Sequence, residues 1–138
     1  MQAYQDPTFV KVVISNLVND MLDLMKKKAQ DPVGNKKKVI NYSAHDTNLS
    51  PLLFFLKLVD FDCHLNQLSK DNVLGCSMKP PYSSTLLFEM TQASSGTISV
   101  YTRYNGHYFD ICSATIPKKG KVACSFGQFE TLMKKATF

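Results

Sequence analysis

Arginine is almost missing from this chain. Arg103 is the only one in 138 residues, so the net charge of +5 rests on lysine. Paired capture of phosphate or guanine normally uses the planar fork of arginine, and this sequence has little with which to build such a clamp. The lysines fall in short runs: Lys26 to Lys28, Lys36 to Lys38, Lys118 with Lys119 and Lys121, and Lys134 with Lys135. No recognised nucleic-acid motif accompanies them. They read as solvated helix ends and loops, and no nucleic-acid partner is expected. Long apolar runs are lacking too. Nothing approaches the roughly 18 uninterrupted apolar residues of a membrane span. The start, Met1-Gln-Ala-Tyr-Gln-Asp-Pro, has no basic stretch followed by an apolar run, so it is not a secretory signal peptide. The expectation is either a cytosolic protein or a chain that begins inside a longer precursor. No C-x-x-C occurs, which argues against zinc. No metal or cofactor is expected, and there is no internal repeat.

What is present suits one folded domain over 1–138. Hydrophobic residues make up 44% and charged residues 20%, an ordinary balance for a chain long enough to bury a core. Four cysteines remain. Cys63 and Cys76 bracket one loop-like stretch, and Cys112 and Cys124 bracket another. Two loop-closing disulfides, Cys63 to Cys76 and Cys112 to Cys124, would suit an exported or lysosomal protein. Four buried thiols would suit a cytosolic one, and connectivity cannot be read from spacing.

Residues 8–29 read as an amphipathic helix. Val10, Ile14, Leu17, Met21 and Leu24 form the stripe, which Val13, Val18 and Met25 widen. Asp6-Pro7 marks its start, Lys26 to Lys28 suit its negative end, and a turn follows at Asp31 to Asn35. Lys38-Val39-Ile40-Asn41-Tyr42 reads as a short strand. Leu49, Leu52, Leu53, Leu56 and Val59 mark a buried helix, capped by Thr47 or Asn48, with Pro51 in its first turn. Residues 60–82 look irregular. Three strands follow: Thr85 to Met90, Thr97 to Tyr104, and His107 to Ile111. Asn105-Gly106 joins the last two as a hairpin turn that needs positive φ. Phe126 to Lys135 reads as a final helix capped by Ser125. One strand before a helix is only half of a β-α-β unit. The lone strand therefore calls for partners from outside these elements.

His45-Asp46 is the one constellation with chemical content. It lies on the strand-to-helix turn, where α/β sheets place ligands. A helix N-terminus offers free N–H groups and partial positive charge to an anion. A histidine there can donate to a phosphate oxygen. A bound anion disfavours ionisation of the neighbouring carboxyl group, which can then pass its proton to a leaving oxygen as a general acid. An acidic working range would follow. Taken alone, any His-Asp dipeptide also fits a helix cap beside a surface histidine.

The segment Val39 to Leu49, with its Ser43-Ala44-His45-Asp46-Thr47-Asn48-Leu49, resembles the second signature of the histidine acid phosphatases. That branch of the histidine phosphatases includes lysosomal and prostatic acid phosphatases and phytases. The family pattern is an apolar strand followed by Ser-Ala-His-Asp-Thr-Thr-Leu, so Asn48 is the one departure. Pro80-Pro81-Tyr82-Ser83-Ser84, Leu87-Phe88-Glu89, the hairpin from Val100 to Tyr108, and Cys124 to Phe129 extend the similarity over about residues 10–135 in one order.

The resemblance implies a phosphoglycerate mutase-like α/β fold, present here as its C-terminal part. The order would be helix, central strand, helix, three antiparallel strands, C-terminal helix. It implies a phosphate-ester substrate, His45 as a phosphate-binding residue and Asp46 as proton donor to the leaving alcohol. The family's nucleophile is another histidine, in an N-terminal Arg-His-Gly-x-Arg-x-Pro, which becomes a phosphohistidine. That signature and its arginines are absent here. His64 and His107 have no adjacent arginine and read as surface residues. Glu89 reads as a structural ion-pair member, and the aromatic residues of 82–109 as sheet packing. A missing N-terminal segment or a partner chain would complete the sheet. The complete protein would be lysosomal or secreted, while the compartment and substrate of this chain stay open. The rival readings are a phosphatase-derived binding or structural subunit, and a lysine-rich nucleic-acid binder with steep salt dependence.

Overall fold

The computed structural model describes residues 6–59, 80–113 and 115–138. Cys63, His64 and Cys76, with the disulfide expected between the two cysteines, lie outside them.

The first helix, α1, spans Pro7–Gln30. Asp6 starts it: its Oδ1 accepts the Thr8 N–H at 2.8 Å, and Pro7 fills a position whose N–H would go unused anyway. Val10, Ile14, Val18, Leu22 and Met25 are its buried apolar residues. The inward row therefore advances mainly in steps of four. Leu17, Met21 and Leu24 flank it, half-buried, rather than leading it. After the turn at residue 31 the Lys28 ammonium binds the carbonyls of Pro32 and Asn35 at 2.8 and 2.6 Å.

The second helix, α2, spans Asp46–Phe55. It begins earlier than the sequence suggested. His45, not Thr47 or Asn48, is its N-cap residue, and Pro51 falls in the second turn. Its last turn closes through Lys57 at φ 56°. The Leu58 N–H reaches the Leu53 carbonyl at 2.9 Å and the Lys57 N–H reaches that of Phe54 at 2.9 Å, the usual way of satisfying orphan carbonyls at a helix end.

The antiparallel strands are β1 (Leu86–Gln92), β2 (Ile98–Tyr104), β3 (His107–Asp110), β4 (Lys118–Lys119) and β5 (Cys124–Ser125). The first three were legible in the sequence; the two short ones were not. Asn105 and Gly106 take φ of 45° and 86° in the hairpin turn. β1 pairs along the whole of β2, from Leu86 opposite Tyr104 to Gln92 opposite Ile98. The other edge of β2 is shared. β3 pairs with Thr102 to Tyr104, and β5 pairs with Ser99 and Val100. The chain thus leaves this edge after Asp110, folds β4 back on β3, and re-enters as β5 on the same line.

A disulfide between Cys112 and Cys124 closes that excursion, with Cα atoms 5.6 Å apart. Closing a loop of this length removes unfolded-state entropy equivalent to about 3 kcal/mol. Reducing the bond, or replacing both cysteines with alanine, should lower unfolding free energy by about that amount, measured by urea titration with and without reductant. Asp110 shapes the start of the excursion. Its carboxylate accepts the Ser113 hydroxyl and the N–H groups of Ser113 and Cys112. These bonds, the Ser113 hydroxyl first, hold its pKa below the ordinary 3.8. The carboxylate is favoured in the folded chain, so the stabilisation is whole above that ordinary value and fades as pH falls through the lower folded one. Asp110→Asn should therefore destabilise the protein at pH 5 to 7, with the gap to wild type closing at strongly acidic pH in matched thermal melts.

The last helix, α3, spans Phe126–Lys134. Ser125 and Gln128 cap it reciprocally, at 2.9 and 3.2 Å. Phe129 and Met133 are fully buried, and Phe129 meets Phe88 edge-on with ring centroids 5.0 Å apart. α3 touches α1, β2 and β5, and α1 touches α2. One core runs through all three helices and the inner face of the sheet.

The expected central strand, 38–42, is the main correction. Among the described residues it pairs with nothing. Val39 is 85% exposed, Ile40 44% and Tyr42 40%. The sequence pattern is that of a strand, but the ladder that would make it one is not supplied by these elements.

Candidate active site

His45 and Asp46 come together at the start of α2, as N-cap and first helical residue, and both are exposed. The local sequence explains the placement. Residues 43–45 stay extended up to His45, at φ −93° and ψ 166°. Asn48 then turns its side chain back, and its Oδ1 accepts the His45 N–H at 3.3 Å. The carbonyl of His45 accepts the N–H groups of Asn48 and Leu49 at 3.0 and 3.1 Å. Asn48, expected as a cap, works instead at the third helical position and fixes the backbone beneath the imidazole.

The carboxylate of Asp46 lies over the helix start. Its Oδ1 accepts the Thr47 N–H at 2.8 Å, the favourable place for negative charge on a helix. Its second oxygen makes no bond to the described residues and is free to carry or deliver a proton. The imidazole of His45 stands on the same open shoulder. Two surface depressions elsewhere, one between α1 and α3 and one beside Cys112 and Gln128, include neither residue. The pair therefore faces solvent and has one wall, the helix end.

Tyr42, three residues before His45, is tied to α1. Its hydroxyl donates to Asp20 Oδ2 at 2.6 Å. Desolvation first, and then this bond to Asp20, push the phenol up to about 12. It stays a donor throughout the working range of any acid or neutral enzyme. The sequence gave no signal for this tether, because the partners stand 22 positions apart and neither belongs to a motif.

The remaining candidates lie elsewhere. His107 opens β3 and is exposed. Glu89 and Arg103 meet across β1 and β2 at 3.6 Å on the solvent face of the sheet. The Tyr108 hydroxyl donates to Glu89 at 2.9 Å, and the Arg103 guanidinium lies 5.4 Å from the Tyr108 ring centre. Glu89 is thus the structural ion-pair member expected, half-exposed rather than buried. The only arginine is already engaged, and no guanidinium fork is free for a phosphate.

A histidine that can donate, a carboxyl that can give up a proton and an anion-favouring helix end form one side of a phosphate site. Among the described residues nothing supplies an activated nucleophile or a cationic clamp. A scan against protein families matches the chain over residues 6–108 to the histidine phosphatase superfamily (branch 2). The match takes in α1, α2 and the β1-β2 hairpin, and it includes His45 and Asp46. The similarity noted at Cys124 to Phe129 lies beyond it. No curated protein and no solved structure was found to match. The helical frame, the antiparallel sheet and the His-Asp turn agree with that assignment: this chain belongs to the histidine phosphatase superfamily, branch 2.

Proposed function

We propose that this chain carries the proton-donating side of an acid phosphatase site that hydrolyses phosphate monoesters. In this reading His45 donates to a phosphate oxygen, the start of α2 supports the anion's charge, and Asp46 protonates the leaving alcohol. The observation that carries it is the joint exposure of His45 and Asp46 at one helix N-terminus. The frame beneath them, Asn48 on the His45 N–H and Tyr42 on Asp20, supports it. The attacking nucleophile, a histidine that becomes phosphorylated and is then released by water, and the arginines that hold the phosphate come from another segment or chain.

The isolated 138 residues should therefore hydrolyse p-nitrophenyl phosphate no faster than the Asp46→Asn variant does. The assay is a stopped-time measurement at pH 5 on purified material. Turnover that disappears with Asp46→Asn would place a nucleophile within this chain and sink the divided-site reading. The alternative, a phosphatase-derived subunit that only binds, keeps the same surface but requires no Asp46-dependent turnover under any condition.

A further inference from the structure

We infer that residues 38–44 are a docking strand, inserted between two strands of a second polypeptide segment that is acidic at one end and cationic at the other. The backbone requires both neighbours. No N–H or C=O of residues 38–44 bonds to any described residue. An extended stretch with both edges open pairs with whatever strand it meets. A strand added to a sheet edge leaves one edge free; this one has two to satisfy.

The side chains say the same. In an extended chain Val39 and Asn41 project to one side, Ile40 and Tyr42 to the other. The second side already leans on α1 through the Tyr42 hydroxyl and Asp20. The Val39 side is bare, at 85% exposure. Apolar residues on both faces are the mark of a strand interior to a covered sheet, not of a strand at a solvated edge. The occupant must therefore supply strands on both edges and cover over Val39.

Charge sets its chemistry and direction. Lys36, Lys37 and Lys38 stand exposed at the front of the segment, and only Lys36 uses its ammonium internally, on the Val33 carbonyl at 3.1 Å. At the far end stands the exposed carboxylate of Asp46. The partner is acidic beside the lysines and basic beside Asp46. A second copy of this chain could fill only one edge through this segment, so it does not meet the requirement.

The choice of partner for the test rests on the phosphatase reading above; the docking surface itself does not. The probe is the N-terminal portion of a complete histidine acid phosphatase, containing its Arg-His-Gly-x-Arg-x-Pro, co-expressed with this chain. Amide hydrogen exchange is read by mass spectrometry. In the isolated chain, amides of 38–44 should exchange at near-unprotected rates while those of β2 are slowed. In the co-purified complex, 38–44 should slow by about 100-fold or more, as ladder amides do. Asn41→Pro should abolish complex formation, because proline is excluded from central strands, yet leave the thermal midpoint of the isolated chain unchanged. Failure to co-purify, a complex in which 38–44 stays unprotected, or protection in the isolated chain that grows with its own concentration would overturn the proposal. Protection without Asp46-dependent turnover leaves the docking strand standing and removes only the catalytic reading.

Discussion

Asp46→Asn should lower turnover of the completed site by about 10²- to 10⁴-fold on alkyl phosphates, the usual range for loss of a general acid. That corresponds to about 3 to 5 kcal/mol of transition-state stabilisation, at about 1.4 kcal/mol per decade. The completed site is this chain with the segment that supplies the nucleophile. Asparagine keeps the shape and can still accept the Thr47 N–H through its carbonyl oxygen, as the carboxylate does at 2.8 Å. What it cannot do is give a proton to the departing oxygen. An alkoxide is a poor leaving group and needs that proton, whereas a nitrophenolate leaves nearly unaided. The loss should be large on an alkyl phosphate and small on p-nitrophenyl phosphate, measured as kcat on the same preparation. Equal losses on both substrates would make Asp46 a binding or shaping residue and end the general-acid assignment.

Phe129→Ala should be the most damaging single change to the fold, costing about 3 to 5 kcal/mol. Phe129 is fully buried and meets Phe88 edge-on. It stands in α3, which contacts α1, β2 and β5. Truncating it removes the transfer free energy of a whole ring and leaves a void where helix and sheet meet. For a domain whose total stability is on the order of 5 to 15 kcal/mol, this is a large share. Urea unfolding followed by circular dichroism would read it. Phe138→Ala is the matched control: Phe138 is 79% exposed, and such surface changes usually fall within about 0.5 kcal/mol. A loss at Phe129 no greater than at Phe138 would mean that α3 does not close the core.

The helices were legible for local reasons. α1 shows apolar spacing, an Asp6-Pro7 start and a lysine-rich end, all within a few residues of one another. α3 shows Ser125 followed three residues later by Gln128, a capping pair readable without any structure. The hairpin was legible because Asn105-Gly106 tolerates the positive φ that the turn demands. The start of α2 was misjudged because Thr47 and Asn48 are better caps by type than His45. The Asn48 side chain reached back to the His45 N–H, which moved the boundary and carried Pro51 into the second turn.

Two parts of the sheet could not be read. β4 and β5 are two residues each, too short for any periodicity, and they exist because the chain returns to the open half of the β2 edge. The disulfide between Cys112 and Cys124 had a sequence neighbourhood but no sequence proof. Its certainty came from β3 and β5 lying along one edge, which brings the two cysteines together.

By itself the sequence determined the amphipathic helices, the hairpin, and a His-Asp pair on the turn into α2, because each depends on residues near one another along the chain. It also determined that no second arginine was at hand. Tertiary structure decided where hydrogen bonds find partners. It tied Tyr42 to Asp20, engaged Arg103 with Glu89, and left residues 38–44 extended and unpaired among the described residues. Side-chain periodicity fixes which residues share a face, but a strand's ladder is completed only by what lies beside it.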